Sequence, residues 1–493
     1  MRTLILAGIL IHSTVAVIAQ TAASPAATSS APHFFVSLRE RTNATQWFAA
    51  SDPAIVYGHQ DSLLRFGLTQ RIHKFEYVFD LQQASELFLP TDAVSPIPAQ
   101  GQLGLGGTYY AANGNNTFPA AFSLRQAFAR FYFDPAKSNL RLGRFEFIEG
   151  QEMTPTDTTV LWLQNNRVAH HIIGNFGFSN AQRSFDGVTA RAGSPNWDLT
   201  LMGGRATQGV FNMNTNPEID VDTEYLAYTR YLANKHVIVR AFADGYHDGR
   251  THITKTDNRP AAVRAGDHEN IRIGTFGGSM IATIPAGKST VEGVFWFAGQ
   301  TGHWGVLSHG ASAFTAEGGY RASGLSWKPW LRAGIWRSTG DSNNADGAHH
   351  TFFTLLNTPR IYARFPFFNP MNLTDEFVQV IVDPGPKLEF RSDLHGLKLT
   401  QSADLWYTGG GPFDNTVFGV TGRPGSRYGG SLATLADISG DYKLTPQISL
   451  SVYYAHAFGR TTVASIYPAV TGSNYGYFEF NYKLDKPIRH KAK

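Results

Sequence analysis

The sequence contains no cysteine, so whatever fold it adopts does without disulfides, as a large exported protein can. Beyond its first residues it offers no run of about 18 apolar side chains, which excludes a bilayer-spanning helix. It also lacks a charge excess. Lys and Arg number 42 against 38 Asp and Glu, and the surplus is carried by Arg2 and the tail after Leu484, so nothing points to nucleic acid. Nucleotide-binding signatures are missing as well. The glycines of residues 101–107 lack both the G-x-G-x-x-G spacing and a strand-to-helix context, and Gly287-Lys288-Ser289 ends like a P-loop but has Ala282 where the first glycine belongs. No Ser, His and acid stand together as a barrel-rim hydrolase needs, Ser308-His309 coming nearest. The sequence predicts no enzyme and no cofactor.

What is present begins with an export signal. Arg2, the apolar run Leu4–Ile11 and the small residues before Gln20 predict a leader over 1–19, followed by a flexible Ala/Ser/Thr/Pro-rich stretch over 20–32. That stretch is too short for the plug of an energy-coupled receptor. From 33 to 484 one pattern persists, with no linker, and predicts a single domain; residues 485–493 form a basic tail. The pattern is clearest between Phe122 and Gly204, where runs of about 9–11 residues, the length of a tilted membrane strand, are separated by breaks that alternate short and long. Aromatics at 13% and 49 glycines suit a barrel with interfacial girdles.

The same grammar predicts strands at His33–Arg41, Leu63–Gln70, Ile72–Leu81, Thr223–Leu232, His236–Asp244, Ile271–Ile284, Thr290–Gln300, Ala313–Ala322, Pro329–Arg337, Phe377–Val382, Lys387–Tyr407, Leu432–Leu444, Ile448–Phe458 and Tyr475–Leu484. A change of parity near Leu394-His395-Gly396 reads as a β-bulge. Long segments are expected at 90–121, 147–180, 205–222, 246–268, 301–311, 339–375, 408–430 and 459–473. Period-two alternation, short turns on one side and long loops on the other together predict an all-β, transmembrane, antiparallel up-and-down β-barrel with short periplasmic turns and long extracellular loops.

Leu140–Glu146 (LRLGRFE), then a long loop, then Arg183–Val188 (RSFDGV) resemble, in kind and order, the alginate export family of outer-membrane porins. The runs Thr358–Asn369, Arg391–His395 and Ser402–Tyr407 resemble its more divergent members. The resemblance implies about 18 strands, a bacterial outer-membrane location, and an arginine-lined constriction through which an anionic polysaccharide diffuses outward, with a general or small-solute porin as the alternative. It also implies partners: the anionic polysaccharide or oligosaccharide, outer-membrane lipid and periplasmic export machinery. Arg144, Glu146, Arg183 and Asp186 occupy its motif positions.

Parity extends the expected lining. Charge within a strand belongs in the lumen, because Arg or Lys facing lipid at the midplane costs about 2–4 kcal/mol. The expected lumenal cations are Arg125, Arg144, Arg240, Arg272, Arg321, Arg332 and Lys398; the anions are Glu146, Asp244, Glu292, Glu317, Asp404, Asp437, Asp441 and Glu479. These near-equal numbers leave two readings open, paired rungs in the wall or a constriction that touches cargo. Arg130 and Arg337 fall on the apolar parity, implying a register shift or a place at an interface. Residues 351–370 are either a strand pair with interfacial aromatics or an inward loop in which Arg360, Tyr362, Arg364 and Phe367 narrow the pore. The adjacent pairs His170-His171 and His349-His350 lack carboxylates in a set geometry, so no metal is expected there.

Overall fold

Alternate residues of each run face opposite ways, and in the computed structural model, which describes residues 31–134 and 138–487, that alternation closes into a cylinder. The predicted leader, most of the 20–32 stretch, Pro135 and the tail beyond Pro487 lie outside the described residues. Eighteen antiparallel strands pair in chain order, and the ring is sealed by His33–Gln46 against Gly472–Pro487, in register from His33↔Pro487 to Gln46↔Asn474. Closure leaves no unpaired edge, the condition for β-structure in hydrocarbon. The outer face is greasy: Leu142 is 64% exposed, Phe276 55% and Val452 52%.

The strands run longer than the sequence suggests. Ser289–Trp304 and Leu307–Arg321 meet at a two-residue turn, so the expected long segment 301–311 is instead the top of a hairpin. Lys387–Tyr407 is shorter than expected. The strand is Leu388–Leu399, and Trp406–Gly409 pairs instead with Val420–Arg423 in a separate two-stranded sheet. Register breaks lie between Val382 and Gly385 and between Leu397 and Lys398, not at Leu394–Gly396.

One end carries short connections such as 73–74, 195–196 and 287–288. The other carries long ones, among them 88–119, 146–184, 249–270, 339–372 and 400–430. By the rule for such barrels the long-loop end is extracellular. These loops fold inward. Leu105–Ala112 and Thr158–Leu163 are short helices within them, and their side chains join Trp296, Trp304, Trp336, Phe352, Phe353, Phe365, Phe367 and Trp406 in a buried apolar core inside that end of the barrel.

Candidate functional site: the lumen

The wall's deepest cations are tied down. Arg332, on Trp330–Ser338, donates to Glu292 at 2.7 Å, Glu317 at 2.8 Å and Gln379 at 3.3 Å. Arg240 donates to Glu149 and to the Tyr225 hydroxyl at 3.1 Å. Arg125 pairs with Glu146 and donates to the Ser184 hydroxyl at 2.8 Å, while Asn175 donates to Glu146 at 3.0 Å. Arg321 reaches Asp383 at 2.8 Å and Thr159 at 3.2 Å. All four point inward; Arg240, Arg125 and Arg321 clamp an inward-folded loop to the wall, while Arg332 ties wall strand to wall strand. Glu146, Glu149 and Thr159 all come from the segment 146–184, so the paired-rung arrangement here joins wall to loop.

Arg130 reaches the inside through a bulge. Gln126 pairs with Asp80 but Leu124 with Leu81, so Arg125 is an extra residue that inverts the parity below it. Arg130 then donates to Glu76 at 2.8 Å. Arg337 shows no such shift; it is exposed near the long-loop end of its strand.

Three expected lining cations face outward, and Asp186, expected to line the pore with them, does so too. Arg144 makes a bidentate pair with Asp186, at 2.8 and 2.5 Å, on the same parity as lipid-facing Leu142, and donates to the Asn216 carbonyl at 3.0 Å. The inward position of that motif is Arg141, stacked 4.0 Å from the Phe145 ring. The motif's glycine serves the backbone: Gly143 has φ +125° and a Cβ there would sit 2.3 Å from the Ala127 carbonyl. Arg272 is exposed between inward Ile271 and Ile273. Lys398 is exposed beside Glu376, 3.3 Å away, between inward Leu397 and Leu399. All three lie at the long-loop rim, where the barrel interior is the apolar core and the outside is water, so the inside-polar rule reverses. Because the Arg144–Asp186 pair faces away from the lumen, Arg144→Ala is expected to leave single-channel conductance and ion selectivity at wild-type values.

Asp404 and Arg183 are in loops. Asp404 accepts from Thr351 Oγ1 at 2.6 Å, the N–H groups of Asp341 and Leu405 at 2.9 and 2.7 Å, and the Tyr407 hydroxyl at 2.9 Å. Burial pushes its carboxyl up to about 6 against the pull of these donors. It staples the 339–372 loop to the 400–430 loop and has no place in the wall. Arg183 donates to the Gly410 carbonyl at 3.0 Å, with Nε and Nη1 unpartnered, and burial lowers it to about 9.

The segment 351–370 is the inward loop, not a strand pair. Its aromatics do not reach the lumen. Phe367 is fully buried against Phe365, Phe368, Phe48 and Trp406, and Tyr362 packs on Trp336 and Phe377 with its hydroxyl 3.3 Å from His171 Nε2. His171 itself stacks between Trp296 and Trp336, at 4.5 and 5.3 Å. The two arginines of the segment do reach open space. Arg364 donates to the Tyr477 hydroxyl at 2.7 Å, and Arg360 donates to the Phe368 carbonyl at 2.8 Å.

Arg360 borders two cavities. On the long-loop side it meets a largely neutral space of about 440 Å³ that reaches Trp47, Phe413, Phe418 and Arg423. On the short-turn side it tops a cavity of about 260 Å³ whose wall holds seven cations, Arg39, Arg41, Arg65, Arg360, Arg364, Arg391 and Lys483, against only Asp441 and Glu479. The sequence reading missed Arg39, Arg41, Arg65, Arg391 and Lys483. The signal was there for three of them: Arg39, Arg41 and Arg65 alternate with Leu38, Leu64 and Phe66. Burial lowers Arg360 to about 10, which leaves it charged at neutral pH.

The fold is similar to solved outer-membrane channels. OpdK (OccK1) of Pseudomonas aeruginosa matches with a TM-score of 0.55 at 9% identity, over 92% of this chain and 99% of its own. OpdG (OccK9) of the same organism gives 0.55 at 11% over 92% and 98%, and OccAB4 of Acinetobacter baumannii 0.53 at 8% over 92% and 98%. At these identities the likeness carries the architecture alone. No curated protein sequence matches the chain. The profile of the alginate export family matches residues 108–463. With the closed barrel, that match places this chain in the bacterial outer membrane as a channel, and it belongs to the alginate export family.

Proposed function

We propose that the channel passes an anionic polysaccharide or oligosaccharide by diffusion, drawn through the cavity beneath Arg360. The observation that carries this reading is the seven-to-two excess of cations over carboxylates on that cavity. Summed over the wall, charges cancel; around the open space they do not, and a cleft lined by one sign concentrates the opposite ion. Arginine suits a uronate cargo because its planar fork meets a carboxylate through two parallel hydrogen bonds. Outer-membrane lipid surrounds the barrel, and export machinery on the periplasmic side would supply the cargo.

A small-solute porin is the second reading, favoured by the size of the cavity. A space of about 260 Å³ below the inward loops suits a short acid or a few sugar units better than a thick polymer. OpdK, a channel of the same architecture, has been crystallised with vanillate. Planar-bilayer recording separates the two. With a polyuronate-selective channel, submillimolar oligouronate added on the short-turn side produces saturable block of an anion-selective current. Equal passage of neutral and anionic oligosaccharides, without block, would establish the general porin instead.

A further inference from the structure

Away from the cationic cavity, the strands Val56–Ile72 and Phe75–Leu87 place two acids opposite each other on the inside face. Asp61 and Glu86 are Cα partners, and His59 lies two residues before Asp61 on the same face. All three are buried: His59 is 2% exposed, Asp61 and Glu86 0%. One donor atom from each lies within 4.8 Å of the other two. Like charges directly opposite across a ladder repel, and burial makes an uncompensated pair far more costly.

The neighbouring groups do not resolve that charge. Arg41 comes no closer than 3.6 Å to Asp61, its short bonds going to Glu479 at 2.8 and 2.6 Å and to the Phe178 carbonyl at 2.8 Å. Asn43 donates to one Asp61 oxygen at 2.7 Å. The other Asp61 oxygen and both Glu86 oxygens accept no well-formed hydrogen bond, although Glu86 lies against Asp61 and the Asn180 amide. His59 supplies an independent observation, since neither of its ring nitrogens has a hydrogen-bond partner although the residue is buried and Nε2 points at Asp61, 3.4 Å away. Asn180, anchored to the carbonyls of Ser62 and Ser85 beside the two acids, also leaves its Oδ1 without a donor. Such a concentration of unpartnered buried acceptors in one place is rare.

We infer that His59, Asp61 and Glu86 form a binding site for a divalent transition-metal cation. An imidazole with two carboxylates is a donor set for Zn²⁺ or Mn²⁺ rather than for Ca²⁺ or Mg²⁺, which favour all-oxygen shells. Bonds of about 2.0–2.2 Å would draw the three donors slightly closer than they stand, a movement within side-chain rotation. The cation offsets the two facing negative charges and ties the second and third strands of the barrel together beneath the helix Leu105–Ala112, whose Tyr109 ring lies 6.2 Å from His59. The site is distinct from the adjacent-histidine pairs of the sequence, which lie in the segments 146–184 and 339–372.

The competing account is a proton shared between Asp61 and Glu86. The full chain, produced without a histidine tag and purified in detergent, is incubated with Zn²⁺ or Mn²⁺, passed over a chelating resin and assayed by elemental mass spectrometry. About one retained equivalent is expected. Glu86→Gln, which keeps the shape of a protonated carboxyl, and His59→Ala are each expected to lose at least tenfold in affinity, and bound Mn²⁺ to lose its site-specific electron paramagnetic spectrum. Heat-modified gel mobility reports that each variant remains a folded barrel, and Glu86→Gln is the variant least able to disturb it. Failure of the wild type to retain metal, or equal retention by wild type and Glu86→Gln, overturns the proposal, the first outcome leaving the shared proton.

Discussion

Replacing Arg360 with alanine is expected to raise single-channel conductance and to shift the reversal potential away from anion preference. Among the described residues Arg360 alone borders both cavities, and its few anchors, chiefly the Phe368 carbonyl at 2.8 Å, leave its charge facing the space between them. One unit charge acting at about 6 Å through an effective dielectric near 40 is worth ~1.4 kcal/mol, roughly tenfold in anion occupancy. Arg360→Lys separates charge from shape: it is expected to keep anion preference but weaken oligouronate block, because an ammonium cannot grip a carboxylate in two places. Arg332→Ala is the contrast, since that guanidinium is consumed by Glu292 and Glu317, and its loss should act on loop packing rather than selectivity. An unchanged reversal potential in Arg360→Ala at low salt, where screening is least, would remove Arg360 from the conduction path.

The barrel was legible because hydrocarbon imposes one rule on every strand that crosses it. Alternation placed Glu317 and Arg321 inward in Ala313–Ala322 and Glu479 inward in the closing strand, and the structure has all three. The lumen was less legible because that rule holds only at membrane depth. At the long-loop rim, Phe145, Ile271 and Leu399 point into an apolar core made by other parts of the chain, while Arg144, Arg272 and Lys398 meet water. A strand read alone carries no mark of where its neighbours' loops come to rest. The register shift that Arg130's parity implies is there, but its place, a one-residue bulge at Arg125, cannot be read from alternation without the partner strand. Counting charges around the whole wall hid the cationic cavity, since Glu292 and Glu317 are already spent on Arg332 and Glu146 on Arg125.

Excising residues 342–369 and closing the gap with a short Gly-Ser turn is expected to give the largest conductance increase of any change, roughly an order of magnitude, because an 18-stranded wall without its fillings encloses an aqueous channel. The excised segment contributes Arg360 and Arg364 to the cavity and Phe352, Phe353, Phe365, Phe367 and Phe368 to the core that occupies the long-loop end. Its removal leaves the eighteen-strand ring intact, since Trp330–Ser338 is paired with Leu373–Gly385 from outside the segment, and takes away the short parallel pairing of Ala348–His349 with Ser308–His309. Phe367→Ala tests the same core more gently: truncating a buried aromatic costs about 3–5 kcal/mol where the surroundings cannot collapse, and that loss falls on the inward loops, so faster protease cleavage of 339–372 and a flickering, enlarged current should appear while heat-modified gel mobility stays that of a closed barrel. The wall and the filling are thus separable in energy, the wall held by a continuous ladder of backbone hydrogen bonds and the filling by side chains packed against one another. A deletion variant that no longer assembles into a closed barrel would contradict this division, and one that assembles yet conducts like the wild type would show that the narrow point lies elsewhere, among the arginines of the short-turn half.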